Sequence, residues 1–91
     1  MTEAQFQRQI VEYATLRGWR LYHTYDSRRS AYGWPDLFLC RAERAVAIEV
    51  KSERGKVTAA QEEWLLALQY AGIQALVVKP SGWDTILRLL A

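Results

Sequence analysis

The sequence has few of the residues that build covalent or soft-metal sites: among its 91 residues there is one cysteine and one histidine. The lone Cys40 excludes an intramolecular disulfide and a cysteine-rich zinc site, and inside the apolar run DLFLC it reads as a buried, inert thiol. His23 has no second histidine to share a metal or form a general-base pair, so packing or a single hydrogen bond is its expected role. Net charge is also small, +2, which excludes nucleic-acid binding by bulk positive charge but leaves room for a local basic patch. No apolar run approaches the roughly 20 residues that span a bilayer, and MTEAQFQRQ lacks the basic-then-apolar pattern of a signal peptide. No membrane association and a cytoplasmic location are therefore expected. Repeats, low-complexity tracts and linkers are missing too, so a single domain over residues 1–91 is expected, near the lower size limit for a self-sufficient core. Dimerisation would help a chain this small.

What is present is a regular alternation of elements. From Thr2 to Arg17, Phe6, Ile10, Tyr13 and Ala14 recur at helical spacing, with Thr2 as N-cap and Gly18 as the stop. On a helical wheel Glu3 falls on the side of Phe6 and Ile10, so it is the carboxylate expected to face inward, whereas Glu12 faces solvent. Three strands follow: WRLYHT from Trp19, DLFLCR from Asp36 and RAVAIEV from Arg44, the last two forming a hairpin across a short polar link. The segment YDSRRSAYGWP between the first two reads as a surface loop. SERGK then turns the chain into a helix opened by Thr58 and stopped by Gly72, and a strand IQALVV and a short helix DTILRLL complete it. The order is α-β-β-β-α-β-α.

The stretch AIEVK, residues 47–51, is where chemistry enters. A strand has period two, so Glu49 and Lys51 share one face and Ile48 and Val50 the other. The hairpin brings the start of the second strand to the end of the third, which sets Asp36 near Glu49 and Lys51. Pro35 fixes the backbone entering that strand and holds Asp36 at its mouth. Two carboxylates and the Val50 carbonyl make a hard oxygen set suited to Mg²⁺ or Mn²⁺ and unsuited to zinc. Lys51 beside them can hold a water or hydroxide, or steady the negative charge on a phosphate under attack. Such a set describes metal-assisted phosphodiester hydrolysis; a plain Glu49–Lys51 salt bridge on a half-exposed strand is the structural alternative.

Taken together, GWPDLFLCRAERAVAIEVKSERGKVTAAQEEWL resembles the core of a PD-(D/E)XK nuclease, and its G-x-PD, IEVK and T-x-x-Q elements are similar to the stand-alone VRR-NUC branch. The resemblance implies an α/β, restriction-endonuclease-like core with a mixed central sheet flanked by helices. It implies Asp36, Glu49 and the Val50 carbonyl as metal ligands and Lys51 as the catalytic lysine. Glu3 matches the acidic residue of the family's first helix, a ligand direct or through water, although a first-turn glutamate also suits the helix dipole. Gln61 matches a glutamine that orients the water or the lysine head, but Thr58-Ala59-Ala60-Gln61 is also a capping box.

The implied activity is a Mg²⁺-dependent, structure-selective DNA endonuclease, with Mn²⁺ as substitute and no organic cofactor. Branched DNA is the implied partner, above all four-way Holliday junctions, resolved by a homodimer in a bacterial or phage-infected cell. The alternatives are a monomeric flap, nick or single-strand nuclease, and an inert nucleic-acid-binding module. Arg28, Arg29, Arg54 and Lys56 are candidate phosphate contacts from two loops, or simply solvated surface. Trp19, Tyr22, Tyr25, Tyr32 and Trp34 are expected to pack in the core or an interface, with base stacking as the competing reading.

Overall fold

The computed structural model describes residues 1–24 and 30–91. Its elements are α1 (Glu3–Leu16), β1 (Arg20–His23), β2 (Leu37–Arg41), β3 (Arg44–Val50), α2 (Ala59–Tyr70), β4 (Gln74–Val78), a 3₁₀ turn (Pro80–Gly82) and α3 (Trp83–Leu89). The expected order is therefore observed, with the 3₁₀ turn added ahead of the last helix, where Pro80 fixes its first position. Thr2 caps α1 as expected, its hydroxyl accepting from the Gln5 amide while the Gln5 side chain accepts from the Thr2 amide.

The four strands form one mixed sheet in the order β1-β2-β3-β4. The first three are antiparallel neighbours, and β4 runs parallel to β3 after the α2 crossover. Placing β3 at the centre explains its apolar composition, because it is covered on both sides. On one face Leu37, Leu39, Val46, Ile48, Val50 and Val78 pack against Phe6, Ile10 and Ala14 of α1 and Ile86 of α3. On the other, Ala47 and Ala75 meet Leu65 and Leu68 of α2, and the two alanines let the helix lie close to the strands. Trp19 seals the far end of the first face: its indole donates to the Leu90 carbonyl at 3.0 Å, and the Arg41 guanidinium lies 4.5 Å over its ring.

Two expectations about burial are corrected. Cys40 is exposed rather than buried. It shares a sheet face with Phe38, and α2 packs over β3 and β4, leaving the end of β2 uncovered. Glu3 is exposed rather than inward-facing, since it stands one turn before Phe6, where the buried stripe of α1 begins.

The 30–34 segment is pinned to α2. Gly33 has φ +87°, and a Cβ there would sit 2.6 Å from the Ala60 carbonyl carbon in the first turn of the helix. Gly18 has a similar φ, +84°, with open space around it. Both alanine substitutions incur the left-handed backbone cost of about 1–2 kcal/mol; only Gly33→Ala adds a collision with backbone. Denaturant unfolding should therefore show Gly33→Ala to be the more destabilised of the two by at least about 1 kcal/mol, and equal losses would mean that the loop yields freely.

Candidate active site

The hairpin register pairs Leu37 with Ile48, so Asp36 faces Glu49 one step further along, on the face covered by α2. Asp36 is held twice. Its carbonyl accepts from the Thr24 amide at 3.0 Å, and its carboxylate Oδ2 accepts from the Val50 amide at 2.8 Å. The second bond ties the mouth of β2 to the end of β3. Pro35, buried, accepts through its carbonyl from the Thr24 hydroxyl and fixes the same corner.

Glu49 is the one buried charged residue among the described residues, 2% exposed, near the end of β3 on the α2-covered face. Its Oε2 is approached by the Lys51 ammonium at 3.5 Å and accepts from the Gln61 side-chain amide at 3.1 Å. Its Oε1 is buried with no hydrogen-bond partner. Burial, then the negative charge of Asp36 beside it, push the Glu49 carboxyl up to about 8 against the opposing pull of Lys51. Lys51 is itself mostly covered: Gly55 folds back so closely that a Cβ there would lie 3.2 Å from the Lys51 Cβ.

Gln61 resolves the choice between capping box and site neighbour by doing both. Its Oε1 accepts from the Thr58 amide at 2.9 Å and its backbone amide donates to the Thr58 hydroxyl at 3.2 Å. With the carbonyl end fixed by the cap, the NH₂ end is the part left to point at Glu49. The capping box therefore aims the amide.

Asp36, Glu49, Lys51 and Gln61 are thus brought together at one end of the β2–β3 pair. Glu3 is not brought to them; it lines a separate depression of about 570 Å³ with Ala4, Gln7, Arg8, Val11 and His23. His23 hydrogen-bonds with the Gln7 side-chain amide, in keeping with its expected role. Arg54 and Lys56 are exposed on the turn that follows Lys51, whereas Arg28, Arg29 and Tyr25 lie outside the described residues. Of the aromatic residues, Trp19 is buried and Trp34 stacks on Phe38, with ring centroids 5.8 Å apart, as core packing requires; Tyr22 and Tyr32 are exposed. Sequence reasoning identifies Thr58 as the cap partner of Gln61 but does not single out Thr24, whose amide and hydroxyl hold the Pro35–Asp36 corner.

The site suits a hard divalent cation by its donors: two adjacent carboxylates, one with a buried unpartnered oxygen, beside the end of a strand. Among the described residues no three His, Cys, Asp or Glu side chains gather as a metal site, so such an ion would depend on Asp36, Glu49 and a backbone oxygen. A four-stranded mixed sheet flanked by helices in this order is the restriction-endonuclease-like fold. A solved structure of Hjc, a Holliday junction resolvase from Archaeoglobus fulgidus, matches with a TM-score of 0.62 and 23% identity, over 84% of this chain and 67% of that one. The VRR-NUC domain model matches residues 1–81, and the chain belongs to that family. A comparison with curated proteins found no match. Family and fold together support a nuclease.

The raised Glu49 carboxyl has a consequence for stability. Unfolded, the group titrates near 4.5; folded, near 8. The native state therefore holds an extra proton between those values, and this contribution to stability, full below pH 4.5, is lost as pH rises toward 8. Metal-free protein should melt at a lower temperature at pH 8 than at pH 5.5, and Glu49→Gln should flatten that difference. A slope unchanged by Glu49→Gln would show that the carboxyl is not displaced upward.

Proposed function

We propose that this chain is a divalent-metal-dependent, structure-selective DNA endonuclease, with four-way junctions as its foremost substrate and a twofold dimer as its working form. The observation that carries the catalytic part is the buried, unpartnered Oε1 of Glu49 set beside Asp36 and Lys51. An orphan carboxylate oxygen in a core is costly, and a site that receives a cation explains why it is kept.

Asp36, Glu49 and the Val50 carbonyl would hold Mg²⁺, or Mn²⁺ in its place. When bound, the ion supplies Lewis-acid polarisation of the phosphoryl group and a lowered pKa for a coordinated water. The remaining work falls to the chain. Lys51, held 3.5 Å from Glu49, offers a fixed positive charge for the negative charge that builds on the phosphate oxygens. Gln61, aimed by the α2 cap, keeps Glu49 in one rotamer, so the carboxylate does not have to be ordered at the moment of reaction. Arg54 and Lys56 on the neighbouring turn are placed to meet the phosphate backbone, which confers affinity without base readout.

The choice of junctions draws on the Holliday junction resolvase named for the matching structure, and on size. A chain of 91 residues has little surface for reading bases, and selection through shape and phosphate contacts fits that limit. Two symmetric cuts across a four-way junction need two sites, hence the dimer.

The test is cleavage of a labelled four-way junction, flap, nicked duplex, plain duplex and single strand in Mg²⁺, Mn²⁺ or EDTA, alongside sedimentation of the protein. Paired, near-symmetric junction cuts by a dimer are expected, abolished by EDTA and reduced at least a thousandfold by Lys51→Ala. Cutting of flaps or single strands by a monomer would keep the site and replace the substrate; junction binding without any cutting would make the domain a binder.

A further inference from the structure

Directly beside Asp36 and Gln61 lies a cleft of about 390 Å³ whose outer wall is the segment Ser30–Trp34. Within that wall one side chain is out of keeping with its surroundings. Tyr32 is 79% exposed, although the backbone on either side of it is held in place. Its carbonyl accepts from the Trp64 indole at 3.0 Å, the next residue, Gly33, lies against the Ala60 backbone, and the Trp34 amide closes a turn onto the Ala31 carbonyl at 3.0 Å. Trp34 is wedged between Phe38 and Trp64, stacked on the first and edge-on to the second at 5.0 Å. A half-buried aromatic anchor and three backbone restraints thus serve to hold one exposed aromatic ring.

The ring also has a defined position. Tyr32 lines the cleft that contains Asp36 and Gln61, and on its other side it borders a groove formed by Ala60, Glu63, Trp64 and Ala67 of α2. It is the ridge between the two. Tyr70 provides the contrast: it is 93% exposed at the end of α2 and lines neither cavity.

We infer that Tyr32 is a nucleobase-stacking residue, which receives an unpaired or unstacked base of the DNA strand whose phosphate lies at Asp36 and Glu49. The inference rests on the nuclease reading above for what occupies the cleft. Its physical content is simple. Stacking on an aromatic ring accepts any base, so it selects for DNA in which a base is free to leave its helix, as at a branch point, without selecting sequence. A ring ordered before binding costs no loop entropy when the base arrives. Continuous duplex must first unstack a base to use it, and so gains less.

The test uses the full chain with Ca²⁺ in place of Mg²⁺ to favour binding over cutting, and four-way junctions carrying 2-aminopurine at each position flanking the branch. Quenching of 2-aminopurine at one or two of these positions is expected. Tyr32→Ala should remove it and weaken junction binding roughly tenfold, whereas Tyr32→Phe and Tyr32→Trp should retain it and Tyr70→Ala should behave as native protein. No quenching at any position, or quenching indifferent to Tyr32→Ala, overturns the inference. So does a shift of Tyr32→Ala from dimer to monomer on sedimentation, which would assign the ring to a protein interface. Quenching that depends on Tyr32 in a protein that cuts no DNA would uphold the stacking role and overturn the nuclease reading; cutting without Tyr32-dependent quenching would do the reverse.

Discussion

The structure depends on the placement of a carboxylate inside its central strand. Glu49 occupies a strand covered by helices on both faces, where a neighbouring apolar residue would pack without penalty. The chain instead surrounds it with Asp36, Lys51 and the Gln61 amide, and still leaves one oxygen without a partner. Each of those neighbours is in turn fixed from elsewhere: Asp36 through the Val50 and Thr24 amides, Gln61 through the Thr58 cap, Lys51 through the close turn at Gly55. Removing the charge from Glu49 would make most of these restraints unnecessary to the core. They are therefore better understood as a scaffold for the carboxylate than as a means of stabilising the sheet.

Much of this arrangement was legible in the sequence because it depends on local periodicity. Period two along AIEVK put Glu49 and Lys51 on one face, and a short hairpin link was enough to bring Asp36 to them without knowing the register. The helix caps could be read for the same reason, since a capping box is complete within four residues. What periodicity does not carry is coverage. The apolar run DLFLC suggests that Cys40 is buried but does not say that α2 lies over β3 and β4 and leaves Cys40 open. The helical wheel puts Glu3 on the buried side of α1 but does not say that the stripe starts a turn later, at Phe6. The apolar run around Cys40 and the helical wheel for Glu3 share one limit: neither says where along an element the covering layer ends.

Gln61 illustrates a different limit. From the sequence its two roles compete, since one side chain is available to serve either the helix cap or the site. An amide has two ends, however, and the structure uses the acceptor for Thr58 and the donor for Glu49. The cap also removes the ambiguity of amide orientation, because only one flip state satisfies both partners. Local helix chemistry is thereby converted into a directional element of the site. The same economy applies at Gly33, where a residue that a turn requires for its left-handed backbone also permits the contact with Ala60 that holds the cleft wall.

These observations bear on how so small a chain sustains a costly site. A long, doubly covered strand is the most rigid element available, and placing the charge there gives precision at the expense of stability; a loop would do the opposite. The cost is concentrated in a carboxyl displaced upward by burial and by a like-charged neighbour, and it is greatest when the carboxyl is ionised and no cation is present. The free energy that disfavours ionised Glu49 in the metal-free protein is free energy that a cation placed beside it would release. On the proposed reading, instability at that point and affinity for a positive charge are two descriptions of one arrangement. That is why the least favourable position in the core is also the most informative position in the sequence.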